Sequence, residues 1–285
     1  MHRSPHTRFY VSQHFENNGL RSTLLASLKL LDCWPANSTC ALCQCGGAVV
    51  TWSIIVRDEE GQFGIAIASR FFAVGALCVH SGRAVGALST QALMNPLYGP
   101  AGIEAMARGY GAAETIATLL TADEGREQRQ VHVLPASGPG AAHTGSACVD
   151  WCGHLVLDGL SVAGNMLAGP RVIQATAEAY LASAGRPMAE RLLAALDAGE
   201  AAGGDKRGKQ SAALRVQRDE DYLSLDLRVD DHAEPFIELR RLYEKSQERF
   251  FPFVECLPGR GRPSGIIERP LIEAHIERYH VQRNP

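Results

Sequence analysis

TWSIIVRDEEGQFGIAIAS, residues 51–69, sets two apolar runs, TWSIIV and FGIAIAS, on either side of an acidic turn, DEEG at 58–61. Runs rich in Val and Ile suit the pleated surface of a sheet, and the short polar turn ending in glycine joins them as a hairpin. ALCVH at 76–80 and AVGALSTQ at 84–91 follow at hairpin-like spacing, with Gly and Ser between them. The domain therefore opens with sheet. Helical patterns come next, over 100–108, which starts at a proline in a permitted first-turn place and stops at Gly109, and over 112–120. Short strands are expected at 131–134, 141–144 and 160–163. Helices rich in Ala, Leu and Glu are expected at 170–184 and 188–198, separated by Gly185-Arg186-Pro187. Strands at 211–217 and 223–229 lead into a last helix at 235–249. This order predicts an α+β layered domain over 51–250 rather than regular βαβ alternation.

The flanks read differently. Residues 1–50 keep no period of 2 or 3.6 and predict a poorly structured extension. Residues 251–285 carry Pro252, Pro258, Pro263 and Pro270 among Gly and Arg, and predict an irregular tail. At 46% hydrophobic and 21% charged, the chain is in the globular range, which excludes a mostly disordered or fibrous protein. Lys and Arg number 28 against 31 Asp and Glu, a net charge of −3. No overall attraction for a polyanion results, no basic patch stands out, and a nucleic-acid partner is not expected. The apolar run 24–31 contains Lys29 and is too short to span a bilayer, so no membrane partner is expected either. Of eight cysteines, Cys33, Cys40, Cys43 and Cys45 crowd the first fifty residues, while Cys78, Cys148, Cys152 and Cys256 are scattered. That distribution fits reduced thiols in a cytoplasmic protein better than a disulfide framework.

Several motifs resemble known chemistry and are answered by plainer readings. GGDKRGKQ at 203–210 nearly spells a phosphate loop. Gln210 stands where the magnesium-binding hydroxyl belongs, however, and the stretch follows a helix, so a glycine-rich helix exit is expected. Cys40-x-x-Cys43-x-Cys45 has metal-like spacing but only Cys33 or His14 to complete four ligands. His143, Cys148, Cys152 and His154 cluster around Trp151, which suggests packing. Asp230-Asp231-His232 before Pro235 suits the start of a helix better than a catalytic pair. No Gly-x-Ser-x-Gly elbow occurs, which disfavours the common serine-hydrolase fold. No metal site and no organic cofactor is expected.

Thr51 is the sharpest feature. Val49 and Val50 precede it, and a bacterial GTG codon reads as valine inside a frame but as methionine at an initiation site. With Val50 as the true start, residues 1–49 would be an over-long gene start, and loss of the initiator methionine would leave Thr51 first. An N-terminal threonine supplies both a nucleophile and a base, because its α-amine, with a pKa of roughly 7.7–8, can take the hydroxyl proton near neutral pH. The plain alternative is an ordinary β-propensity Thr at a strand start.

The same opening, a Thr-led strand, an acidic turn ending in Gly and a second strand closing in Ser69-Arg70, resembles the N-terminal nucleophile (Ntn) hydrolases, proteasome β-type subunits included. More closely, the chain resembles the domain of unknown function 1028 family, grouped with that superfamily. The resemblance is carried by SRFFAVG at 69–75, STQALMNPLYGP at 89–100, HTGSACVDWCGH at 143–154, VAGNMLAGP at 162–170, AAGGDKRGKQSAAL at 201–214 and LRVDDH at 227–232. Cys152 departs from the Ala expected between Trp151 and Gly153. The resemblance implies a four-layer αββα sandwich and amide hydrolysis through an acyl-enzyme, and it supports Thr51 as the first residue of the mature chain.

The leading expectation is an amidohydrolase acting on a small amide or peptide-like metabolite. Thr51 would be the nucleophile, and a backbone N–H or the amide of Asn95 or Asn165 would stabilise the oxyanion. Arg70 would keep the α-amine neutral or bind a substrate carboxylate. Asp205 and Asp230 are candidates for orienting these groups, and with Gln210 they form the expected substrate-binding side. Turn chemistry is the plain alternative for both Asn95, before Pro96, and Asn165, after Gly164. Superfamily analogy points to a homo-oligomer. The competing expectation is a non-catalytic protein that binds a metabolite or partner on the same fold. Autocatalytic removal of residues 1–50 is a third route, less suited to a Val50-Thr51 junction than to one with glycine.

Overall fold

The computed structural model describes residues 51–283. The expected extension over 1–50 and the Cys40-x-x-Cys43-x-Cys45 spacing lie outside the described residues. The fold is mixed α/β with two antiparallel sheets. Strands β1 (Thr51–Arg57) and β2 (Phe63–Ser69) form the expected hairpin. They are central in a six-stranded sheet of order β10-β9-β2-β1-β8-β7, with β7 Gly153–Leu157, β8 Leu160–Asn165, β9 Ser211–Gln217 and β10 Leu225–Val229. The second sheet has the order β3-β4-β5-β6, with β3 Val79–Gly82, β4 Gly86–Ala92, β5 Arg129–Pro135 and β6 Ala141–Thr144.

Strand periodicity sorts the side chains of β1 into two faces. Trp52, Ile54 and Val56 are buried against helices α4 (Pro170–Ala182) and α5 (Met188–Ala201), where Val172, Ile173, Leu192 and Leu196 complete the cluster. Helix α5 lies so close to β2 that a Cβ on Gly64 would come within 2.6 Å of Met188 Sδ. Helix α6 (Pro235–Glu248) joins the same face through Phe236, whose ring lies 5.9 Å from that of Trp52. Each such buried side chain contributes about 1.5–3 kcal/mol over an exposed one. On the second sheet, Leu88, Val131 and Val133 are buried with Met106 of α2 (Tyr98–Ala107) and with Ile116 and Leu119 of α3 (Ala112–Thr121). The remaining faces of the two sheets meet. Ile55, Ile65 and Ile67 of the first pack with Ala87 and Leu134 of the second.

Three segments differ from expectation. Around 76–80 the chain first makes a single helical turn, α1 (Val74–Leu77), led by Ala73 at φ 53°, and only then enters β3. Strand β7 was hidden in a cysteine- and glycine-rich segment, although the two-residue turn Asp158-Gly159 between paired Leu157 and Leu160, with Gly159 at φ 66°, is a strong hairpin signal. The C-terminal region is not irregular. It contains α7 (Phe250–Val254) and α8 (Arg269–Arg283). Pro252 and Pro270 stand in first turns, where a missing N–H costs nothing. Helix α8 is docked by buried Ile276, by the Arg249–Glu273 ion pair at 2.5 Å, and by the tilted ring contact of Tyr279 with Phe251 at 6.1 Å.

No helix among the described residues is long and apolar enough to cross a membrane. GGDKRGKQ is the exit of α5 leading to β9. Among the described residues no group of three or more His, Cys, Asp or Glu could hold a metal ion. His143 bonds instead to Arg126 O at 2.9 Å, and His154 Nδ1 to Thr144 Oγ1 at 2.9 Å.

Candidate functional site

Strand register places Thr51 at the end of the central strand, directly opposite Asn165 on one side and Ser69 on the other. Ser69 in turn faces Ser211 of β9. Side chains opposite one another share a face, and Thr51 Oγ1 donates to Ser69 Oγ at 3.2 Å. The carbonyl of Thr51 is approached by two side-chain amides, Gln91 Nε2 at 3.4 Å and Asn165 Nδ2 at 3.3 Å. Thr51, Ser69, Gln91 and Asn165 are all buried.

One step beyond Ser69, the chain end of β2 meets the α5–β9 loop. The Asp205 carboxylate, its side chain fully buried, accepts the Arg70 N–H at 2.9 Å and the Arg207 N–H at 2.8 Å. The Arg70 guanidinium donates to Arg207 O at 2.5 Å. Gln210 donates its N–H to Ser69 O at 3.0 Å and its amide to Asp231 at 3.1 Å. Arg70, Gln210, Lys209, Asp231 and His232 line a concavity of about 430 Å³ at this sheet end. Lys209 lies 2.6 Å from Glu234 and 3.4 Å from Glu200, and its pKa is raised chiefly by the hydrogen bond to Glu234. Asp230 is held by both Nε and Nη2 of Arg228, at 3.0–3.1 Å to one oxygen. His232 Nδ1 accepts the Glu234 N–H at 3.0 Å just before α6, while Asp230 and Asp231 take their hydrogen bonds from Arg228 and Gln210, and no side chain caps the helix.

Thr51, Asn165, Arg70, Asp205 and Gln210 are thus gathered at one end of the six-stranded sheet, with Asp230 at the neighbouring strand end. Asn95 is elsewhere. Its Oδ1 accepts the Leu97 N–H at 3.1 Å and its Nδ2 donates to Asp123 at 3.1 Å, the turn chemistry of Asn before Pro. Arg129, then Tyr98 and Asn95, hold the Asp123 carboxyl well below the usual carboxylate range. Asn165 is the reverse case: it is a strand residue, and no turn explains it.

A polar layer runs inward from Thr51 between the sheets. Ser53 Oγ lies 2.7 Å from Gln91 Oε1 and 2.8 Å from His132 Nε2, and His132 Nδ1 lies 2.9 Å from Ser161 Oγ. Gln91 Nε2 donates to Gln130 Oε1 at 2.8 Å. Gln130 Nε2 reaches Gly153 O at 3.0 Å and Gly164 O at 2.9 Å. Burial, with a smaller effect of His154, pulls the His132 pKa from 6.5 down to about 3. Burial, then His143, takes His154 to about 4. Both rings are neutral near pH 7.

Residues 51–239 match the family described as "Family of unknown function (DUF1028)". The chain belongs to the DUF1028 family. A crystal structure from the same family, that of protein SPO2555 from Silicibacter pomeroyi, is similar with a TM-score of 0.71 at 28% identity, over 77% of this chain and 96% of that one. Anbu (ancestral beta-subunit) from Yersinia bercovieri is matched at a TM-score of 0.33 and 10% identity, over 70% of this chain and 96% of that one, a likeness that carries no argument. No curated protein matches the chain. In this DUF1028 chain the family match begins at Thr51. Ser53, Ser69, Gln91, Gln130, His132 and Ser161 escaped the reading of the sequence. Their signal is a pair of polar residues on one strand face, in Thr51/Ser53, Ser89/Gln91, Gln130/His132 and Ser161/Asn165, which in any one strand looks like a solvent-facing side.

Proposed function

We propose that this DUF1028 chain is an amidohydrolase of the N-terminal nucleophile type, with Thr51 as nucleophile, acting on a small amide or peptide-like metabolite in the cytoplasm. The observation that carries the reading is the place of Thr51: the family match starts there, and the residue heads the central strand with its hydroxyl turned into the layer between the sheets. The arrangement of α4 and α5 outside one sheet and α2 and α3 outside the other supports an αββα reading of the fold. In a chain beginning at Thr51, Oγ1 attacks the amide carbonyl and its proton passes to the α-amine. The tetrahedral oxyanion then collapses, the C–N bond breaks, and the leaving amine takes the proton. Water, deprotonated by the same α-amine, cleaves the resulting ester and restores the hydroxyl. Because the Asn165 amide is turned to Thr51's own carbonyl and Asn95 to Asp123, we assign the oxyanion contact to a backbone N–H. Arg70, anchored through its backbone on Asp205, is assigned to a substrate carboxylate. This chemistry calls on no metal or organic cofactor.

One observation favours a second reading for the 285-residue form. There Thr51 is fully buried and its nitrogen is in the peptide bond to Val50. An amide nitrogen is no base, so that form would be a non-catalytic binding protein.

A β-lactone, whose ring opens to an ester on a reactive hydroxyl, separates the two. The chain starting at Thr51 should gain the mass of one lactone, mapped to Thr51. Thr51→Ala and the 285-residue chain should gain none. Equal labelling of Thr51→Ala, or no labelling of the Thr51-led chain, would reject the mechanism.

A further inference from the structure

The buried amides between the sheets have a direction that their partners dictate. Gln130 Nε2 faces two backbone carbonyls, Gly153 O at 3.0 Å and Gly164 O at 2.9 Å. Carbonyl oxygens only accept, so this end of Gln130 is its NH2 and the other end is its oxygen. That oxygen receives Gln91 Nε2 at 2.8 Å and Asn165 Nδ2 at 3.2 Å. The same two nitrogens also reach the Thr51 carbonyl, at 3.4 and 3.3 Å. With its nitrogen so placed, Gln91 can offer only Oε1 to Ser53, and Ser53 must give its single hydrogen to that oxygen at 2.7 Å. Ser53 Oγ is then the acceptor for His132 Nε2 at 2.8 Å. The ring therefore carries its proton on Nε2, and Nδ1 accepts from Ser161 Oγ at 2.9 Å. From Ser161 to the carbonyls of Gly153 and Gly164, every donor points the same way.

We propose that Gln91, Gln130 and Asn165 are positioning residues for Thr51, which fix its carbonyl, and with it the orientation of its nitrogen and hydroxyl, from the interior of the fold. The Ser53–His132–Ser161 chain locks the Gln91 amide in its orientation, and the carbonyls of Gly153 and Gly164 lock Gln130. The catalytic meaning of this device rests on the Thr51 reading above, since misplacing a reacting group by about 1 Å can cost about a hundredfold in rate. Its geometry does not depend on turnover. Burial in a low-dielectric layer strengthens each bond and penalises any reversed amide, so one arrangement dominates.

NMR of the isotope-labelled 285-residue chain tests the device directly. Two-bond ¹H–¹⁵N correlations of the His132 ring should show the neutral Nε2–H tautomer. In Gln91→Met the ¹³C carbonyl resonance of Thr51 should move upfield as it loses a donor, and the His132 ring should cease to show a single tautomer. Asn165→Ala, which removes the other donor and leaves Gln91 in place, should move the Thr51 carbonyl in the same direction without changing the tautomer. An Nδ1–H ring in the wild type would overturn the direction of the chain. A Thr51 carbonyl unmoved in both variants would overturn the positioning role. Should Gln91→Met fail to fold, Asn165→Ala and the wild-type tautomer still decide. Failure of β-lactone labelling would reject the amidohydrolase and leave these signatures as they are.

Discussion

The layer between the two sheets has two unlike halves. In one, Ile55, Phe63, Ile65 and Ile67 of the first sheet pack with Ala87 and Leu134 of the second. In the other, Ser53 and Ser161 face Ser89, Gln91, Gln130 and His132, equally buried. Both halves are buried, but on different terms. The apolar half gains from burial alone, and its contacts tolerate a change of rotamer or a swap of similar volume. The polar half must desolvate hydroxyls, amides and an imidazole, and recovers that cost only with every partner in place. Stability would be better served by more isoleucine. A buried polar layer next to Thr51 therefore reads as a device for geometry, and its orientation is specified atom by atom where the apolar half specifies only volume.

Four measurements would break or sharpen this contrast. The largest effect belongs to the apolar half: Ile67→Ala should destabilise the fold by about 2–5 kcal/mol in urea unfolding, since a fully buried β2 side chain leaves a cavity. Next comes Ser53→Ala, which strands both Gln91 Oε1 and the His132 Nε2–H and should cost about 1–3 kcal/mol in the same assay. Third is acid. The folded pKa of His132 lies near 3 against 6.5 when unfolded, so the unfolded chain takes up the proton first. This contribution is complete above pH 6.5 and is lost as pH falls towards 3, with a slope of about 1.4 kcal/mol per pH unit. His154, at about 4, adds to the slope in the same sense. Urea midpoints at pH 7, 6 and 5 should show the decline, and a flat profile would contradict a buried neutral ring. The smallest effect should come from Ser89→Ala, below about 1 kcal/mol, because its 3.2 Å and 3.5 Å contacts leave Ser53 and Gln91 with better partners. Ser89→Ala costing as much as Ser53→Ala would refute the assigned direction.

The two halves also differ in how legible they were. TWSIIV and FGIAIAS announced the hairpin because the apolar positions of β1 and β2 fill both faces, and 170–184 and 188–198 announced helices through propensity and a Gly-Arg-Pro break. Strand β7 was lost because its residues are only half-buried at a sheet edge, which blurs alternation. Helix α8 was lost because prolines were counted as breakers when Pro270 occupies a first turn. At the site, Thr51 was singled out by its place at the head of the first strand after Val49-Val50, and Gln210 first by the near phosphate-loop motif, while Arg70 and Asp205 came in with the family resemblance; no spacing in the chain tells that the end of β2 meets the α5–β9 loop. Asn95 was chosen for its amide, yet its place before Pro96 already carried the turn reading that the structure shows. The polar ladder was invisible for a physical reason. Each strand contributes two polar residues to one face, the pattern of a wet face, and only the pairing of β1, β4, β5 and β8 closes them into a dry one.

The central claim is that Thr51 acts as a residue with a free amine. The intact mass and N-terminal sequence of the protein, expressed from its own upstream DNA without an imposed start codon, test it most directly. The account predicts a mature chain whose first residue is Thr51. A chain that retains Met1 to Val50 would leave the Thr51 nitrogen in an amide and contradict it.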